Sequence, residues 1–379
     1  MRKSKALFSL LLVILTGCLA DSKEIDHRTM VVGMGIDIVD DNTYSVSVQA
    51  PVIIAGGAEG EAGFEKEFET LQATGPSPWE AVANIEANTP TVLFFGHLKM
   101  VAIGQALAER GIDKISDLFD RGPAMDNKVL LLIVDNDINV YDFISRDSRL
   151  ISLPSLYVDR FFMADQKLAR TKEVKLFEYR KDRNMISNAA TVPVGYLDNE
   201  LLIENLAVLQ NGKMVGKLEG KEAGISQLLK NKELNNMNYS LISTNENDII
   251  ISLRVDLSMD FSYEKTNPVE IHLNVEGSGE IVHIPERKLE SNLENITKIE
   301  KELERRVKED IEHTISKMKL INTEPWLMGH RIWARDHRYF DQLNWEEDGW
   351  IESKIYATVN IEVDQTGQKG VMEKIKVGR

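Results

Sequence analysis

The sequence predicts an α+β fold of three domains, with mixed or antiparallel sheets packed by helices. Three observations carry that expectation. Behind an apolar leader roughly 360 residues remain, more than one hydrophobic core usually serves, so two or three domains are expected. Apolar, β-branched runs of alternating polarity recur from Thr29 to Val363, separated by segments that bear helix-capping residues. Near residues 288–319 one apolar stripe at helical spacing runs along an otherwise charged segment, as in a long amphipathic helix laid on a sheet. With 43% hydrophobic and 28% charged residues, the composition is that of a folded chain rather than a disordered one. The single cysteine excludes disulfides within the chain, so core packing must hold the domains.

The N-terminal α+β domain is expected over residues 29–185. Thr29 to Asp37 is apolar and β-branched, Asp40-Asp41-Asn42 supplies a turn, and Tyr44 to Val48 alternates at period two, which makes a hairpin. Residues 55–67 are rich in Gly and Glu and lack apolar anchors, as a loop does. Ser77, Pro78 and Glu80 form a capping box with proline at the first helical position, so a helix follows to Asn88. Pro90 ends it, and Thr91 to Phe95 resumes as a buried strand. Met100 to Ile103 reads as a strand, Gln105 to Arg110 as a helix stopped by Gly111, and Asp113 to Asp120 as a short helix. A buried strand over Lys128 to Val134, a helix over Ile138 to Ser145, and a helix from Pro154 to about Tyr179 complete a layered arrangement.

A small middle domain with a hairpin is expected over residues 186–235. Thr191 to Leu197 is extended, and Leu206 to Gln210 and Met214 to Leu218 flank Asn211-Gly212, the strongest short-range hairpin signal. Gly220 to Lys230 closes the unit as a helix. The C-terminal α+β domain, residues 236–379, opens with the alternating strand Ile249 to Phe261. Val269 to Val275 and Glu280 to Ile284 are expected to form a second hairpin about Gly277-Ser278-Gly279. The stripe then runs through Leu289, Leu293, Ile296, Ile299, Leu303, Val307, Ile311, Ile315 and Met318, always three or four residues apart. Trp326 to Asp341 has helical character, and Lys354 to Val363 alternates as a last strand.

No catalytic signature survives inspection. Gly33-Met34-Gly35 lacks the third glycine and the helix of a dinucleotide loop, which leaves close backbone packing. No G-x-x-x-x-G-K-[ST] or G-x-S-x-G occurs, and Ser278 needs no role beyond the tip of its hairpin. Asp135 to Asn139 starts like a calcium loop but places Val140 where glycine is needed and Arg146 where a bidentate glutamate belongs. His330 and His337 share a helical face, yet Arg331, Arg335 and Arg338 surround them and would repel a cation. No catalytic residue, metal site or cofactor is therefore expected. The net charge of −15 removes any electrostatic case for nucleic acid.

The remaining chemistry lies in the leader. Arg2, Lys3 and Lys5 precede the apolar run Ala6 to Leu15, and Thr16 and Gly17 lead to Cys18, the three parts of a secretory signal over residues 1–17. Counted from Ala6 to Ala20 the stretch has fifteen residues. As a helix it is about 22 Å long at ~1.5 Å per residue, against a hydrocarbon core of ~30 Å, too short to span comfortably. Leu15-Thr16-Gly17-Cys18 resembles the bacterial lipobox, in which the cysteine sulfur receives a diacylglyceryl group and the bond between Gly17 and Cys18 is cut. An ordinary signal peptide in which cysteine follows glycine by chance is the alternative. Two acyl chains hold a protein stably at a membrane that it does not cross.

Several stretches together resemble a known family. These are Gly17-Cys18 followed by Asp21, Ser22, Lys23, Glu24, Ile25, Asp26 and Arg28; Val32-Gly33-Met34-Gly35-Ile36-Asp37; Ser77-Pro78-Trp79-Glu80-Ala81; and Leu93-Phe94-Phe95-Gly96-His97-Leu98-Lys99. Ala207 to Gly216, and Pro325 to Gly329 with Trp345, extend the likeness along nearly the whole chain. It resembles the C subunits of bacterial spore germinant receptors, the Ger(x)C lipoproteins. The resemblance implies a non-catalytic protein, lipid-anchored through Cys18 on the outer face of the spore inner membrane. It also implies assembly with two integral membrane subunits, A and B, into a receptor that answers small nutrients by starting germination. Residues 18–28 are then a lipidated leader. Asp21, Glu24, Ile25, Asp26 and Arg28 either space the body from the lipid or contact those subunits. The competing class is a solute-binding lipoprotein that delivers a nutrient to a transporter, and direct ligand binding by the chain is open between the two.

Overall fold

The computed structural model describes residues 27–52, 68–121, 125–164, 169–243, 249–283 and 293–364. The loop expected over 55–67, and Leu289 at the head of the stripe, lie outside these residues.

β1 (Arg28–Met30), β2 (Gly33–Asp40) and β3 (Thr43–Pro51) come first, and Asp40 Oδ1 accepts the Asn42 N–H at 2.9 Å to close the expected β2–β3 turn. β4 (Phe68–Gly75) leads into α1 (Pro78–Glu86), where Ser77 Oγ accepts the Glu80 N–H at 3.2 Å as the capping residues predict. β5 (Val92–Phe94), β6 (Met100–Gly104), α2 (Gln105–Arg110), a 3₁₀ turn (Ile112–Ile115) and α3 (Ser116–Arg121) follow. β7 (Leu130–Val134), α4 (Val140–Ser145), α5 (Pro154–Met163) and α6 (Leu176–Arg183) come next. The single helix expected from Pro154 to Tyr179 is thus two. Between them Val174 O accepts the Leu131 N–H at 2.9 Å and the Leu176 N–H reaches Val129 O at 3.0 Å, so backbone pairing with the β7 segment overrides helical continuity.

β8 (Ala189–Leu197), β9 (Leu201–Gln210) and β10 (Lys213–Leu218) carry the predicted turn, with Asn211 at φ 51° and Gly212 at φ 74°, both in the left-handed region that a two-residue hairpin of this kind requires. These strands do not stand apart as the sheet of a separate middle domain over 186–235. They complete an eight-stranded sheet of order β10-β9-β8-β7-β6-β2-β3-β4, in which β2, β6, β7 and β8 pair in parallel. A unit of about 50 residues is marginal on its own, because it buries a small share of its surface. Here its hairpin turn also docks on the N-terminal region, through the Ile112 N–H to Gly212 O at 2.8 Å. The sheet is covered on both faces. Val101, Ile103, Leu131 and Ile133 point into one core with α1, α2 and α6, and Met100, Ala102, Leu130, Leu132 and Val134 into another with α4 and α5. Gly35 faces α4, where a Cβ would stand 2.6 Å from Val140 Cγ1, which confirms the packing role read for Gly33-Met34-Gly35.

α7 (Lys221–Asn231) leads to β11 (Glu233–Ser243), β12 (Ile249–Glu264) and β13 (Glu270–His283), then α8 (Leu293–Leu320), α9 (Met328–Arg335), α10 (His337–Phe340) and β14 (Lys354–Asp364). The second sheet has the order β11-β12-β13-β14, with β14 parallel to β13. The hairpin expected about Gly277-Ser278-Gly279 does not form, because β13 runs straight through it. Leu257, Asp256 and Val255 pair on one side and Ile361, Glu362 and Val363 on the other. Glycine serves close approach here: a Cβ on Gly277 would stand 2.6 Å from Leu257 Cδ2 and 2.7 Å from the Asp256 carbonyl. Ser278 is therefore an exposed mid-strand residue and not a turn tip.

α8 is the long amphipathic helix. Leu303, Val307, Ile311, Ile315 and Met318 are buried against the second sheet, each worth roughly 1.5–3 kcal/mol of transfer free energy. Its carboxylates also cap the open edge of β14, since Glu304 Oε1 accepts the Ile361 N–H and Glu300 Oε1 the Val363 N–H, each at 3.0 Å. That satisfies backbone donors which would otherwise template a foreign strand. Among the described residues no helix is long and apolar enough to cross a membrane.

Candidate functional site

Gly17, Cys18, Asp21, Glu24, Ile25 and Asp26 lie outside the described residues. Arg28 is the first strand residue of the body, in register with Val92 in the parallel β1–β5 pair. Its guanidinium lies 4.8 Å from the centre of the Phe94 ring, and Phe94 meets His97 edge-on at 5.9 Å. The hydroxyls of Thr29 and Thr91 are hydrogen-bonded. Leu93, Phe95 and Leu98 are buried beneath this edge while Gly96, His97 and Lys99 stay exposed, and the Val31 N–H bonds Phe94 O at 2.9 Å. Two sequence features some 70 positions apart, Arg28 and the block Leu93 to Lys99, therefore form one surface where the leader enters the body.

The calcium-like segment is structural. Asp135 forms an ion pair with Lys217, and Asn139 Oδ1 caps α4 by accepting the Tyr141 N–H at 2.7 Å. His330 and His337 do not share a helical face, because the chain breaks at Asp336, whose φ is −155°. His330 stacks on Trp333 at 5.5 Å, and Arg331 and Arg335 lie over Phe261. One set of three ligand-type groups occurs among the described residues: Glu264, Glu270 and His272, on β12 and β13. His272 Nε2 stands 3.5 Å from Glu264 Oε1, and the Lys354 ammonium is 2.9 Å from Glu270 Oε1, so a cation of this chain already serves one carboxylate.

Sequence reading missed a second feature, where the β9–β10 turn end of the first sheet meets the C-terminal segment. Its centre is Glu324, fully buried. The carboxylate accepts Ser187 Oγ–H at 2.7 Å, the Trp326 N–H at 2.7 Å and the Gly329 N–H at 3.2 Å. Burial raises its pKa, and these hydrogen bonds only partly oppose that. Beside it is a cavity of about 140 Å³ lined by Ser187, Asn188 and Gln210 from the first half and by Glu324, Trp345 and Trp350 from the second. Trp345 and Trp350 are 3% and 2% exposed, yet neither indole N–H has a partner among the described residues. Gln210 Oε1 is also without one, although its Nε2 donates to Ser187 O at 2.9 Å. A buried donor or acceptor left unpaired costs about 1–3 kcal/mol, and the Trp345 N–H packs against Gly329 rather than a polar partner. Tryptophans spread over a C-terminal segment could have hinted at this. Their convergence with Gln210 requires the fold.

Two consecutive family models match the chain: the spore germination protein N-terminal domain over residues 21–194, and the spore germination B3/GerAC-like C-terminal domain over residues 204–367. They meet at the β8–β9 turn, inside the eight-stranded sheet. Spore germination protein GerQC of Bacillus cereus is 22% identical over 372 residues, covering 95% of this chain and 98% of that protein. Spore germination protein KC of Bacillus subtilis (strain 168) is 21% identical over 392 residues, covering 95% of each. The crystal structure of the GerBC protein shares the fold, with a TM-score of 0.51 over 87% of this chain and 96% of that one at 15% identity. Matched along nearly its whole body by both halves of one family and sharing that fold, the chain belongs to the Ger(x)C family of spore germination proteins.

Proposed function

We propose that this chain is the lipid-anchored, non-catalytic C subunit of a nutrient germinant receptor. It is held through Cys18 on the outer face of the spore inner membrane and assembles there with the integral A and B subunits to trigger germination. The observation that carries this reading is family membership across both halves of the body, joined to a leader whose one cysteine stands in a lipobox-like setting. Attachment through lipid suits an acidic body, because loss of residues 1–17 removes three basic side chains and no acid and so takes the net charge from −15 to −18. Anionic lipid would repel such a body. The surface of Arg28, Phe94 and His97 adjoins the leader and is where contact with the membrane subunits is expected.

A solute-binding lipoprotein usually encloses its ligand between two similar lobes. Here an eight-stranded mixed sheet and a four-stranded sheet are unlike each other, which favours the receptor reading. The test is Cys18→Ala in spores. The altered protein should leave the membrane fraction and nutrient germination should fall, while membrane retention with normal germination would overturn the proposal.

A further inference from the structure

We propose that Glu264, Glu270 and His272, on the outward face of the β12–β13 hairpin, bind a divalent transition metal ion of the zinc class, with Lys354 as the resident cation that the metal displaces. This goes beyond the receptor assignment and does not depend on it.

Strand register makes the cluster. Glu264 and Glu270 stand directly opposite each other across the antiparallel pair, and His272 follows Glu270 by two residues, so the three side chains share one face. Like charges in that relation repel. Each of the three groups nonetheless places a ligand atom within 4.8 Å of the other two. The Lys354 ammonium, 2.9 Å from Glu270 Oε1, offsets one carboxylate, and its side chain is half exposed and can withdraw into water. Glu264 has no lysine or arginine paired with it among the described residues; its ion-pair neighbour is His272.

A second observation comes from the imidazole. His272 Nε2 is closed to solvent and without a hydrogen-bond partner, and Glu264 Oε1 lies 3.5 Å from it. Metal bonds of about 2.0–2.1 Å to both atoms would span that gap at an angle of about 115°, near the tetrahedral value. A water bonded at ~2.8 Å to each would be bent to roughly 80°, so the gap suits a bare ion and not a solvent molecule. The ion enters as the Glu264 side chain, which is 63% exposed, swings aside and then closes on it. Tyr356 on β14 stacks on the imidazole, 5.4 Å between centres and 24° between planes, and holds the ring in place.

Ligand chemistry selects the ion. Calcium asks for six to eight oxygens and magnesium for a hydrated octahedron, whereas one imidazole with two carboxylates suits zinc and its neighbours and leaves a fourth position to water. Because the ligands come from two strands, bound metal pins the end of the hairpin and stabilises it by mass action.

The test uses the untagged full chain in detergent, stripped of metal with EDTA and titrated with Zn²⁺ by calorimetry. One equivalent should bind saturably. His272→Ala and Glu264→Gln should each weaken it at least tenfold, His330→Ala should leave it unchanged, and Lys354→Met should tighten it at least threefold by removing the competing cation. Co²⁺ should give the visible absorption of a tetrahedral complex, lost in Glu264→Gln. If His272→Ala does not fold, Glu264→Gln and Lys354→Met, both at exposed side chains, decide. Absence of saturable Zn²⁺ binding, an equivalent that survives His272→Ala or Glu264→Gln, no tightening in Lys354→Met, or Ca²⁺ bound as tightly as Zn²⁺ would overturn the proposal.

Discussion

The two sheets bury apolar residues in different ways. In the eight-stranded sheet, β6 and β7 are covered on both faces, and every residue from Met100 to Gly104 and from Leu130 to Val134 is buried. In the four-stranded sheet, β12 alternates: Leu253, Val255, Leu257, Met259 and Phe261 are buried, while Arg254, Asp256, Ser258 and Asp260 face outward. A parallel sheet must be sheathed by its crossover helices, whereas a largely antiparallel one can leave a face to water. In β6 and β7, then, position along the strand says little about tolerance, and in β12 it says nearly everything.

The sharpest break of this contrast is a charge on the one covered face of the second sheet. Val307→Asp in α8 should leave an unpaired carboxylate under the sheet, cost more than about 4 kcal/mol, and yield little folded protein, as near-UV circular dichroism will show. Next come truncations of adjacent residues. Leu131→Ala and Leu132→Ala should each cost about 2–5 kcal/mol by urea denaturation, because they point into opposite cores of equal depth. In β12 the same pair of measurements should split, with Leu253→Ala costing a similar amount and Arg254→Ala less than ~0.5 kcal/mol. If Arg254→Ala proves as costly as Leu253→Ala, the outer face of the second sheet is not free.

A smaller effect separates Gly277 from Ser278. Gly277→Ala should cost about 1–3 kcal/mol by pressing a methyl onto Leu257 and the Asp256 carbonyl, and Ser278→Ala should change the urea midpoint little.

The weakest expected difference is in pH dependence. Hydrogen bonds from Arg305, with help from Arg306, pull the Glu302 pKa down to about 2 from an ordinary 4.5. Its contribution is therefore present above pH 4.5 and lost as pH falls toward 2, and Glu302→Gln should flatten that acid limb of the melting temperature. Glu324 runs the other way. Burial raises its pKa above 4.5, so its contribution is full below that value and declines as pH rises through the folded pKa, and Glu324→Gln should remove this slope. An unchanged melting profile in either variant would show that the carboxylate does not titrate with folding.

Much was legible where the signal is local. The cap at Ser77, the turn at Asn211-Gly212 and the stripe on α8 needed only neighbouring residues, because capping, left-handed turns and amphipathic faces are set within a few positions. β11 was missed because Glu233 to Ser243 is rich in asparagine and polar residues, and its strand state is enforced by pairing with β12. Gly277-Ser278-Gly279 was misread because glycine signals a turn locally, while in β13 it answers to Leu257 across the sheet. The lipobox-like setting of Cys18, the family likeness and the absence of a recognisable catalytic motif needed the chain alone, since each rests on residues adjacent in sequence. The meeting of Arg28 with Phe94, the merging of the middle strands into the first sheet and the cavity between Gln210, Trp345 and Trp350 did not. Those depend on contacts between residues far apart in the chain, whose existence is set by how whole sheets and helices bury one another and is written in no short stretch of sequence.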